Sequence, residues 1–444
     1  MAGDAPTRVV VVGAGSAGCV VAARLSEHPG FDVTLLEAGA DQRMAEQPDS
    51  VRGPSFAAAM AEPGRTWPDL LAVRTEGQPA APYLRGRGVG GSSAINALVA
   101  LPGEPDDYDD WERVHGCRGW AWRDVEPWFS RSRLELHRAA RTEWGPLNRA
   151  LGDALAEAAG GVPLTRDASG RRWSVNEAYL EPARSSGRLV VRGDTVVDRV
   201  LLDGRRAVGV RTATGDEIDA DLVVVSAGTI HSPAVLLRSG VDTPGVGDNL
   251  HDHPSFPIAV ELVEPVRWGS LNIATLAQLT WAEPHDVQLL PVDGIDGSMP
   301  HLGLLMVALM RSRSRGSVRL SADDPTVDPL IDFAMLDDEH DWTALSAAID
   351  LAERVLDHPA LRVAGRVLPY DRSASGVRAN LGNYVHAAGT CAMGSVVDAG
   401  CRVVGYEQLV VCDASVMPEA PRANTHLPTV MIAERIAAAI GAGR

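Results

Sequence analysis

The sequence predicts an α/β fold, in which a doubly wound domain on a parallel sheet carries an inserted α+β domain built on a mostly antiparallel sheet. The chain has 444 residues, more than one simple hydrophobic core usually accommodates. Short β-branched runs near both ends and in the middle alternate with helical patterns, which favours buried parallel strands. Residues 254–382 instead show weaker, alternating strand patterns and one clear helix, which favours a second domain.

The first elements of the chain predict one βαβ unit. Residues 9–12 are a short run of valines that ends at a glycine, as a buried parallel strand does. Residues 16–26 carry small and apolar residues at helical spacing, and residues 31–36 form a second strand closed by Glu37. Residues 40–84 are rich in Pro, Gly and Ala, which predicts a long irregular segment.

The remaining elements follow in chain order. They are a Trp-rich helical segment at 106–129, strands at 189–192, 196–202, 207–212 and 221–226, a helix at 342–356 and a last helix at 428–440. Asp203-Gly204 is a turn signal, and Pro428 suits the first turn of a helix, where a missing N–H costs little. The predicted division assigns residues 1–105, 175–250 and 385–444 to the doubly wound domain, and residues 106–174 and 251–384 to the substrate or cap domain.

Composition excludes several classes of partner and mechanism. A formal net charge of −17 argues against a nucleic-acid partner, because phosphates would be repelled. All 41 basic residues are Arg, so a Lys base or a Lys Schiff base is excluded. The 5 cysteines form no CxxC pair, which predicts no disulfide framework and favours a cytoplasmic location. No apolar run approaches the roughly 18 residues that a membrane span needs, so none is expected.

The clearest motif is Gly13-Ala-Gly15-Ser-Ala-Gly18, between the first strand and the first helix. Gly13 permits a tight turn, Gly15 lets the backbone approach a pyrophosphate at the positive helix end, and Gly18 lets helix and strand pack closely. Glu37, at the end of the next strand, can accept the hydrogen bonds of a ribose diol. With strand, helix and acid in place, the motif predicts a dinucleotide site but does not distinguish FAD from NAD.

Five further blocks occur in order along the chain. They are GRGVGGSSAIN at 86–96, SAGTIHSPAVLLRSG at 226–240, GVGDNLHDH at 245–253, HAAGTCAMG at 386–394, and VCDASVMP at 411–418 followed by NTHLPT at 424–429. Together with the dinucleotide motif, these blocks resemble the glucose–methanol–choline (GMC) oxidoreductase family over residues 9–440. The resemblance implies FAD as the cofactor and a small-molecule alcohol, oxidised at its CH–OH group, as the substrate.

The resemblance also implies which residues hold FAD. The predicted set is Gly13, Gly15, Ser16, Ala17, Gly18, Glu37, Ala38, Arg85, Gly90, Gly91, Ser92, Asn96, Ala97, Leu98, Val99, Val197, Asp413, Ala414, Leu427, Pro428 and Thr429. Within it, Asn96 would contact the isoalloxazine edge, and the strand near Val197 would contact adenine. Asp413 would cap the final helix region and hold phosphate or ribitol. Some family members attach FAD covalently through a His where this chain has Ile95, so noncovalent FAD is predicted.

The resemblance places catalysis at His386 and His426. A His suits proton transfer because its ordinary pKa of about 6.5 lies close to neutral pH. His386 would accept the alcohol proton while hydride passes from the carbinol carbon to flavin N5, and His426 would hydrogen-bond the same oxygen. Family members commonly have Pro after the first of these histidines, where Ala387 loosens the local backbone. His251 and His253 lack a marked third ligand, so no metal site is predicted.

The sequence leaves the substrate and the electron acceptor open. Candidate linings of the substrate region, for which core packing is the commoner role, are Phe256, Trp268, Trp281, Met306, Met310 and Trp342. The acceptor is O₂ or an organic or protein carrier, and the bulk of Tyr384, beside His386 in sequence, favours the carrier. The alternative function is a non-redox, flavin-containing lyase of the hydroxynitrile type, which the same residue types would serve. A flavin-binding protein without catalysis is the third alternative, and the intact pair of histidines argues against it.

Overall fold

The computed structural model describes residues 5–155 and 159–443, which form two large sheets, several smaller sheets and the helices packed on them. The α-helices are Gly18–Ser26, Asp49–Arg52, Phe56–Met60, Pro105–Arg113, Trp122–Phe129, Pro146–Ala154, Glu181–Ala183, Gly228–Arg238, Glu339–Leu356, Pro359–Ala364, Ala374–Ala379 and His426–Ala442. Short 3₁₀ segments cover Met44–Glu46, Gly91–Ala94, Arg141–Glu143, Arg184–Ser186 and Ala414–Val416, and a π-helical segment covers Asn176–Leu180. The strands are Thr7–Val12, Phe31–Leu36, Leu71–Ala72, Ala81–Pro82, Leu136–Arg138, Ala159–Gly161, Pro163–Thr165, Leu189–Arg192, Val197–Asp203, Arg206–Thr212, Glu217–Asp219, Leu222–Val225, Pro254–Leu262, Thr275–Leu279, Val287–Asp293, Leu302–Leu309, Ser317–Arg319, Leu330–Asp332, Gly365–Val367, Gly382–Asn383 and Leu409–Val411.

The first large sheet has five parallel strands. Their order is Leu409–Val411, Leu222–Val225, Thr7–Val12, Phe31–Leu36 and Leu189–Arg192. Its central strands are buried on both faces, which explains why they occur as uninterrupted runs of β-branched residues. Helix Gly18–Ser26 packs against the last helix, His426–Ala442, so the two ends of the chain meet at this sheet.

The second large sheet has seven strands, and its described pairs are antiparallel. The path runs through Gly365–Val367, Pro254–Leu262, Leu302–Leu309, Val287–Asp293, Thr275–Leu279 and Ala159–Gly161, and Gly382–Asn383 pairs with Pro254–Leu262. Helix Glu339–Leu356 packs on one face of this sheet through buried residues such as Leu345 and Ile349. The other face carries Leu290 and Met306, which line the cavity described below.

The α/β class is confirmed, and the predicted elements differ from the observed ones mainly at their ends. The helix predicted at 342–356 begins earlier, at Glu339, because the Asp338 side chain accepts a hydrogen bond from the His340 N–H and caps the helix there. The last helix begins at His426, before the predicted start, so this histidine lies on the first turn of a helix.

The helical segment predicted at 106–129 is two helices. Pro105–Arg113 and Trp122–Phe129 are separated by a loop in which Gly116 has a φ of 71° and Gly119 a φ of 81°. Left-handed backbone at two nearby glycines ends one helix before the next begins. The predicted helical segment is therefore confirmed in its first and last parts and interrupted between them.

Part of the segment predicted for the cap domain packs in the core of the parallel sheet. Tyr108, Trp111 and Trp120 are fully buried in that core. The domain division at residues 106, 175, 251 and 385 stays a prediction. Among the residues described, none of the helices combines the length and apolar character that crossing a membrane requires.

Candidate active site

A continuous cavity of about 640 Å³ lies where the carboxyl ends of the parallel strands meet the seven-stranded sheet. Gly13, Glu37 and Ser226 line it, each from the end of a different parallel strand. His386 and His426 line the same cavity. A crevice at this edge of a parallel sheet is where folds of this kind bind their ligands.

The dinucleotide loop, residues 13–18, has backbone geometry suited to a pyrophosphate. Gly13 adopts a φ of +97°, and a Cβ there would lie 2.6 Å from the carbonyl oxygen of Ser226. A Cβ at Gly18 would lie 1.8 Å from the Gly13 carbonyl oxygen, so only glycine lets helix and strand approach this closely. A Cβ at Gly15 would meet no atom within 4 Å, so this position faces open space. The residues present therefore fit FAD, whose pyrophosphate would approach the backbone at Gly15.

Glu37 connects three segments of the chain at the cavity wall. Its carboxylate is buried and accepts hydrogen bonds from the backbone N–H groups of Ala14 at 2.8 Å, Gly39 at 2.9 Å and Gly88 at 2.9 Å. These donors come from the dinucleotide loop, from the end of the second strand and from the Gly-rich block. A ribose diol would therefore add its hydrogen bonds to a carboxylate that already organises three segments.

Asn96 is fixed at the cavity wall by a residue that no sequence motif indicated. Its side-chain oxygen accepts hydrogen bonds from the Leu98 N–H at 3.1 Å and from Nη1 of Arg172 at 2.8 Å. Arg172 is buried, and burial lowers its pKa to about 9. Its guanidinium also donates to the carbonyl oxygen of Val51 at 3.0 Å. The preceding residue, Ile95, lines the cavity with an aliphatic side chain.

Asp413 differs in one respect from its predicted role. It caps the 3₁₀ segment Ala414–Val416 and not the final helix, whose N-cap residue is Thr425. Its carboxylate also accepts hydrogen bonds from the Gly228 N–H at 2.8 Å and from the Ser232 hydroxyl at 2.6 Å. Asp413 follows strand Leu409–Val411, and helix Gly228–Arg238 follows the neighbouring parallel strand Leu222–Val225. The carboxylate therefore joins two segments that leave the sheet at the same edge.

His386 has a different partner on each ring nitrogen. Nδ1 lies 3.0 Å from Nδ1 of His253, and Nε2 lies 3.1 Å from Nδ2 of Asn424. The His386 backbone N–H donates to the Asp252 carboxylate at 3.0 Å. Burial, followed by the influence of His253 and Arg85, holds the pKa of His386 well below its ordinary value. The ring is therefore neutral at pH 7 and able to accept a proton.

The backbone on either side of His386 is held by side chains. Val385 has a φ of 61°, which is unusual for a β-branched residue, and its carbonyl oxygen accepts a hydrogen bond from Nη1 of Arg85 at 2.7 Å. The Ala387 N–H donates to the Tyr83 hydroxyl at 3.3 Å, a hydrogen bond that a Pro could not form. These contacts restrain His386 in place of the proline common in the family.

His426 connects the last helix to the dinucleotide loop. Its Nδ1 lies 3.0 Å from the Ser16 hydroxyl, and its Nε2 has no hydrogen-bond partner among the described residues. Burial, followed by the charge of Arg172, lowers the pKa of His426 to about 4. Both predicted histidines are therefore neutral and buried in the wall of one cavity.

Asp252, His253 and His386 place potential ligand atoms within 4.8 Å of one another. The sequence did not indicate this cluster, because His386 is distant from the other two along the chain. The Asp252 carboxylate accepts hydrogen bonds from the backbone N–H groups of His253 at 2.7 Å and His386 at 3.0 Å. The two imidazoles share their own hydrogen bond. These hydrogen bonds fix the position of His386 beside Asp252 and His253.

Most of the residues predicted to hold FAD line the cavity. They are Gly13, Gly15, Ser16, Ala17, Glu37, Ala38, Arg85, Gly91, Ser92, Asn96, Ala97, Leu98, Val99, Val197, Asp413, Ala414 and Thr429. Gly18, Gly90, Leu427 and Pro428 are buried but lie outside this lining. The contact of each residue with FAD stays a prediction.

The sequence motifs missed the apolar part of the lining. Of the aromatic and Met residues named as candidates, Met306 alone lines the cavity. Apolar side chains that line the cavity and belong to the same apolar cluster as Met306 include Phe56, Ile273, Leu290, Val292, Ile295 and Leu304. For Leu290, Val292 and Leu304, which lie on strands, the signal is the alternation of inward and outward side chains, and its use requires the strand pairing to be known.

Similar proteins are found over nearly the whole chain. The N-terminal sequence model described as GMC oxidoreductase matches residues 7–255, and the C-terminal one matches residues 312–433. An oxygen-dependent choline dehydrogenase of Klebsiella pneumoniae subsp. pneumoniae is 31% identical, and the alignment covers 97% of this chain and 95% of that protein. An uncharacterized GMC-type oxidoreductase of Rhodococcus erythropolis is 32% identical, with 97% of each chain covered.

Solved structures share the fold. Pyridoxine 4-oxidase from Mesorbium loti has a TM-score of 0.88 and is 26% identical, with 98% of this chain and 99% of that chain covered. Aspergillus oryzae formate oxidase has a TM-score of 0.88 at 20% identity, with 99% of each chain covered. A fungal aryl-alcohol oxidase has a TM-score of 0.80 at 20% identity, also with 99% of each chain covered. The last two likenesses bear on the fold alone.

Proposed function

Because the chain belongs to the GMC oxidoreductase family, and so to the FAD-dependent oxidoreductases, we propose that it oxidises an alcohol to a carbonyl compound with His386 as the base. One observation carries the proposal. A neutral, buried His386 lies with His426 in the wall of the cavity that also contains the dinucleotide loop. A proton acceptor and a flavin site in one cavity are what this oxidation requires.

The hydrogen bonds of His386 favour Nε2 as the basic atom. Asn424 donates through Nδ2 to His386 Nε2, so that nitrogen carries a lone pair. The proton of the neutral His386 ring then lies on Nδ1 and is donated to Nδ1 of His253. His253 in turn carries its proton on Nε2. An alcohol that replaces Asn424 as the donor would pass its proton to His386 Nε2.

His426 would hold the substrate oxygen. The Ser16 hydroxyl orients its Nδ1, and its Nε2 is left to hydrogen-bond the oxygen of the alcohol. FAD, when bound, supplies the acceptor for the hydride. Gly15 and Glu37 would hold the dinucleotide, and the aliphatic Ile95 offers no atom for a covalent bond, so the bound FAD is noncovalent in this proposal.

The electron acceptor in this proposal is an organic or protein carrier. Tyr384 supports it, because its ring lies 5.4 Å from the His386 ring and lines the cavity on the side of the catalytic histidines. A bulky ring there would restrict access of O₂ to the reduced cofactor. Readmitting air to substrate-reduced enzyme tests this choice, and reoxidation as fast as turnover would make the protein an oxidase.

Anaerobic mixing of the FAD-loaded protein with a panel of primary alcohols tests the proposed oxidation. We expect the visible flavin absorbance to bleach at a rate that saturates with alcohol concentration. A hydroxynitrile lyase would leave the flavin oxidised while cleaving its substrate, so the same experiment separates the two functions. Flavin that stays oxidised with every alcohol would refute the proposal.

A further inference from the structure

Two paired strands of the seven-stranded sheet build an apolar surface on the cavity. In their antiparallel register, Leu290 lies opposite Met306, and Val292 lies opposite Leu304. All four side chains line the cavity. Leu305, between two of them in sequence, is fully buried in the core on the other face of the sheet. The alternation of side chains along the strands thus turns one apolar set towards the cavity and the other towards helix Glu339–Leu356.

Two more side chains extend this surface. Ile273 precedes the neighbouring strand, and Phe56 begins a short helix of the segment predicted to be irregular. Both line the cavity and belong to one apolar cluster with the four strand residues. We call the set the apolar wall: Phe56, Ile273, Leu290, Val292, Leu304 and Met306.

The apolar wall contains no carboxylate. Among the described residues that line the cavity, the acidic ones are Glu37 and Asp413. Each already accepts three hydrogen bonds from the chain, and both lie at ends of parallel strands. Arg74, Arg85 and Arg238 also line the cavity. The carboxylates of the cavity therefore lie at the strand ends, and none lies on the apolar wall.

The aromatic rings of the cavity are already engaged. Trp67 stacks on His231 with ring centroids 4.2 Å apart, and Arg87 lies 5.6 Å from its centroid. Tyr384 packs edge to face against His386. Phe56 is the remaining ring on the apolar wall. One ring does not form the box of aromatic faces that would replace a carboxylate around a quaternary ammonium group.

We propose that the apolar wall receives the organic part of an uncharged alcohol and discriminates against alcohols that carry a quaternary ammonium group. The inference rests on the proposed function, because it assigns the substrate class of the same site. Apolar groups gain from leaving water against this wall, whereas a desolvated cation would meet no counter-charge there. The similarity to choline dehydrogenases therefore does not extend to their substrate.

Alcohols of matched shape and different charge test this inference on the FAD-loaded protein. Choline and 3,3-dimethylbutan-1-ol differ by exchange of the charged nitrogen for carbon. The second pair is 4-(hydroxymethyl)benzoate, which is an anion, and 4-(hydroxymethyl)benzamide, which is neutral. Affinity is read from the perturbation of the oxidised flavin spectrum, and reactivity is read from anaerobic flavin reduction. We expect the neutral member of the first pair to bind at least about tenfold more tightly than choline.

A designed carboxylate gives an independent arm. Met306→Asp places a negative charge on the apolar wall, where the partly exposed side chain leaves room for it. We expect the ratio of choline affinity to neutral-alcohol affinity to rise at least about tenfold. Val263→Asp is the matched control, because Val263 is 70% exposed and follows strand Pro254–Leu262 of the same sheet. It should leave the ratio unchanged.

The outcomes separate this inference from the proposed function. Tighter binding of choline than of its neutral isostere, a preference for the anionic alcohol, or no binding of any neutral alcohol would each overturn the apolar wall as the substrate site. Neutral alcohols that bind more tightly than choline but reduce no flavin would support the wall and refute the proposed oxidation.

Discussion

His386 is the residue on which proton transfer depends in the proposed reaction. Replacing it by Ala removes the base, so we expect flavin reduction to slow about 10²–10⁴-fold while FAD stays bound. His426→Asn should slow the reaction less, because Asn can still donate a hydrogen bond to the substrate oxygen. Anaerobic single-turnover measurements separate these rates from slow product release. Flavin reduction at the wild-type rate in His386→Ala would place the base elsewhere.

His253 acts through His386 and is a positioning residue. Its Nδ1 lies 3.0 Å from the His386 ring, and its side chain is 1% exposed, so water cannot replace it there. His253→Leu removes the acceptor that keeps the His386 proton on Nδ1, and we expect flavin reduction to slow about 10–100-fold. His253→Asn offers an oxygen acceptor and should restore most of the rate.

The rate–pH profile distinguishes this positioning role from general loss of packing. Because the pKa of His386 is lowered, the wild-type rate should be level above about pH 6.5 and fall only in more acidic solution. In His253→Leu the profile should shift, because the environment of the base has changed. A slow variant with the wild-type profile and no rescue by Asn would contradict the assigned role.

The sequence predicted His386 and His426 as the catalytic pair but did not indicate their hydrogen-bond partners. His386 and His426 stand in blocks whose order along the chain resembles a known family. The hydrogen bond to His253 joins residues that are 133 positions apart, and only folding brings them together. The role of Arg172 was not predictable for the same reason, because Arg172 and Asn96 are far apart along the chain and belong to no common motif.

A loop or strand could be predicted from the sequence where a single local backbone requirement determines which residue type occurs. The dinucleotide loop shows this, because close backbone contacts require glycine at Gly13 and Gly18, and Gly15 leaves open the space through which a pyrophosphate would approach. The apolar wall was not predictable, because a strand pattern shows which side chains share a face but not what that face meets.

Gly15→Ala tests whether the dinucleotide loop holds the cofactor. A Cβ at this position meets no atom within 4 Å, and no left-handed φ is required, so the FAD-free protein should keep its thermal midpoint. The added methyl group would occupy the space through which the pyrophosphate approaches, and we expect FAD to bind at least about tenfold more weakly, or ~1.4 kcal/mol. Gly441→Ala is the control, because a Cβ there also meets no atom within 4 Å. Unchanged FAD affinity in Gly15→Ala would place the cofactor elsewhere.

His251 lies between two distant segments of the chain, and its protonation is coupled to folding. Its Nδ1 donates to the Asn249 carbonyl oxygen at 2.7 Å, and its Nε2 accepts from the Ala420 N–H at 2.9 Å. These bonds join the block at 245–253 to the segment that follows the last strand, and only the neutral ring can form both. Burial, followed by the charge of Arg315, lowers the pKa of His251 to about 3.

The direction of the pH effect follows from proton binding. The unfolded chain, with a His pKa of about 6.5, binds more protons than the folded one in acid, so stability is fully present above about pH 6.5 and is lost as the pH falls below it. The pKa values of His253 and His426, each lowered to about 4, act in the same direction. Burial raises the pKa of Asp252 to about 6, so this carboxyl group binds a proton more readily in the folded chain than in the unfolded one. As the pH falls below about 6, Asp252 therefore offsets part of the stability that the histidines lose.

We therefore expect the FAD-free protein to unfold at a lower denaturant concentration at about pH 5.5 than at about pH 7.5. His251→Asn should be less stable than the wild type at the higher pH but should lose less on acidification, by ~1.4 kcal/mol between these two pH values. His137→Asn is the matched control, because the side chain of His137 is 42% exposed and should leave the pH dependence unchanged. Equal losses in His251→Asn and the wild type would show that His251 is not held neutral by its two hydrogen bonds.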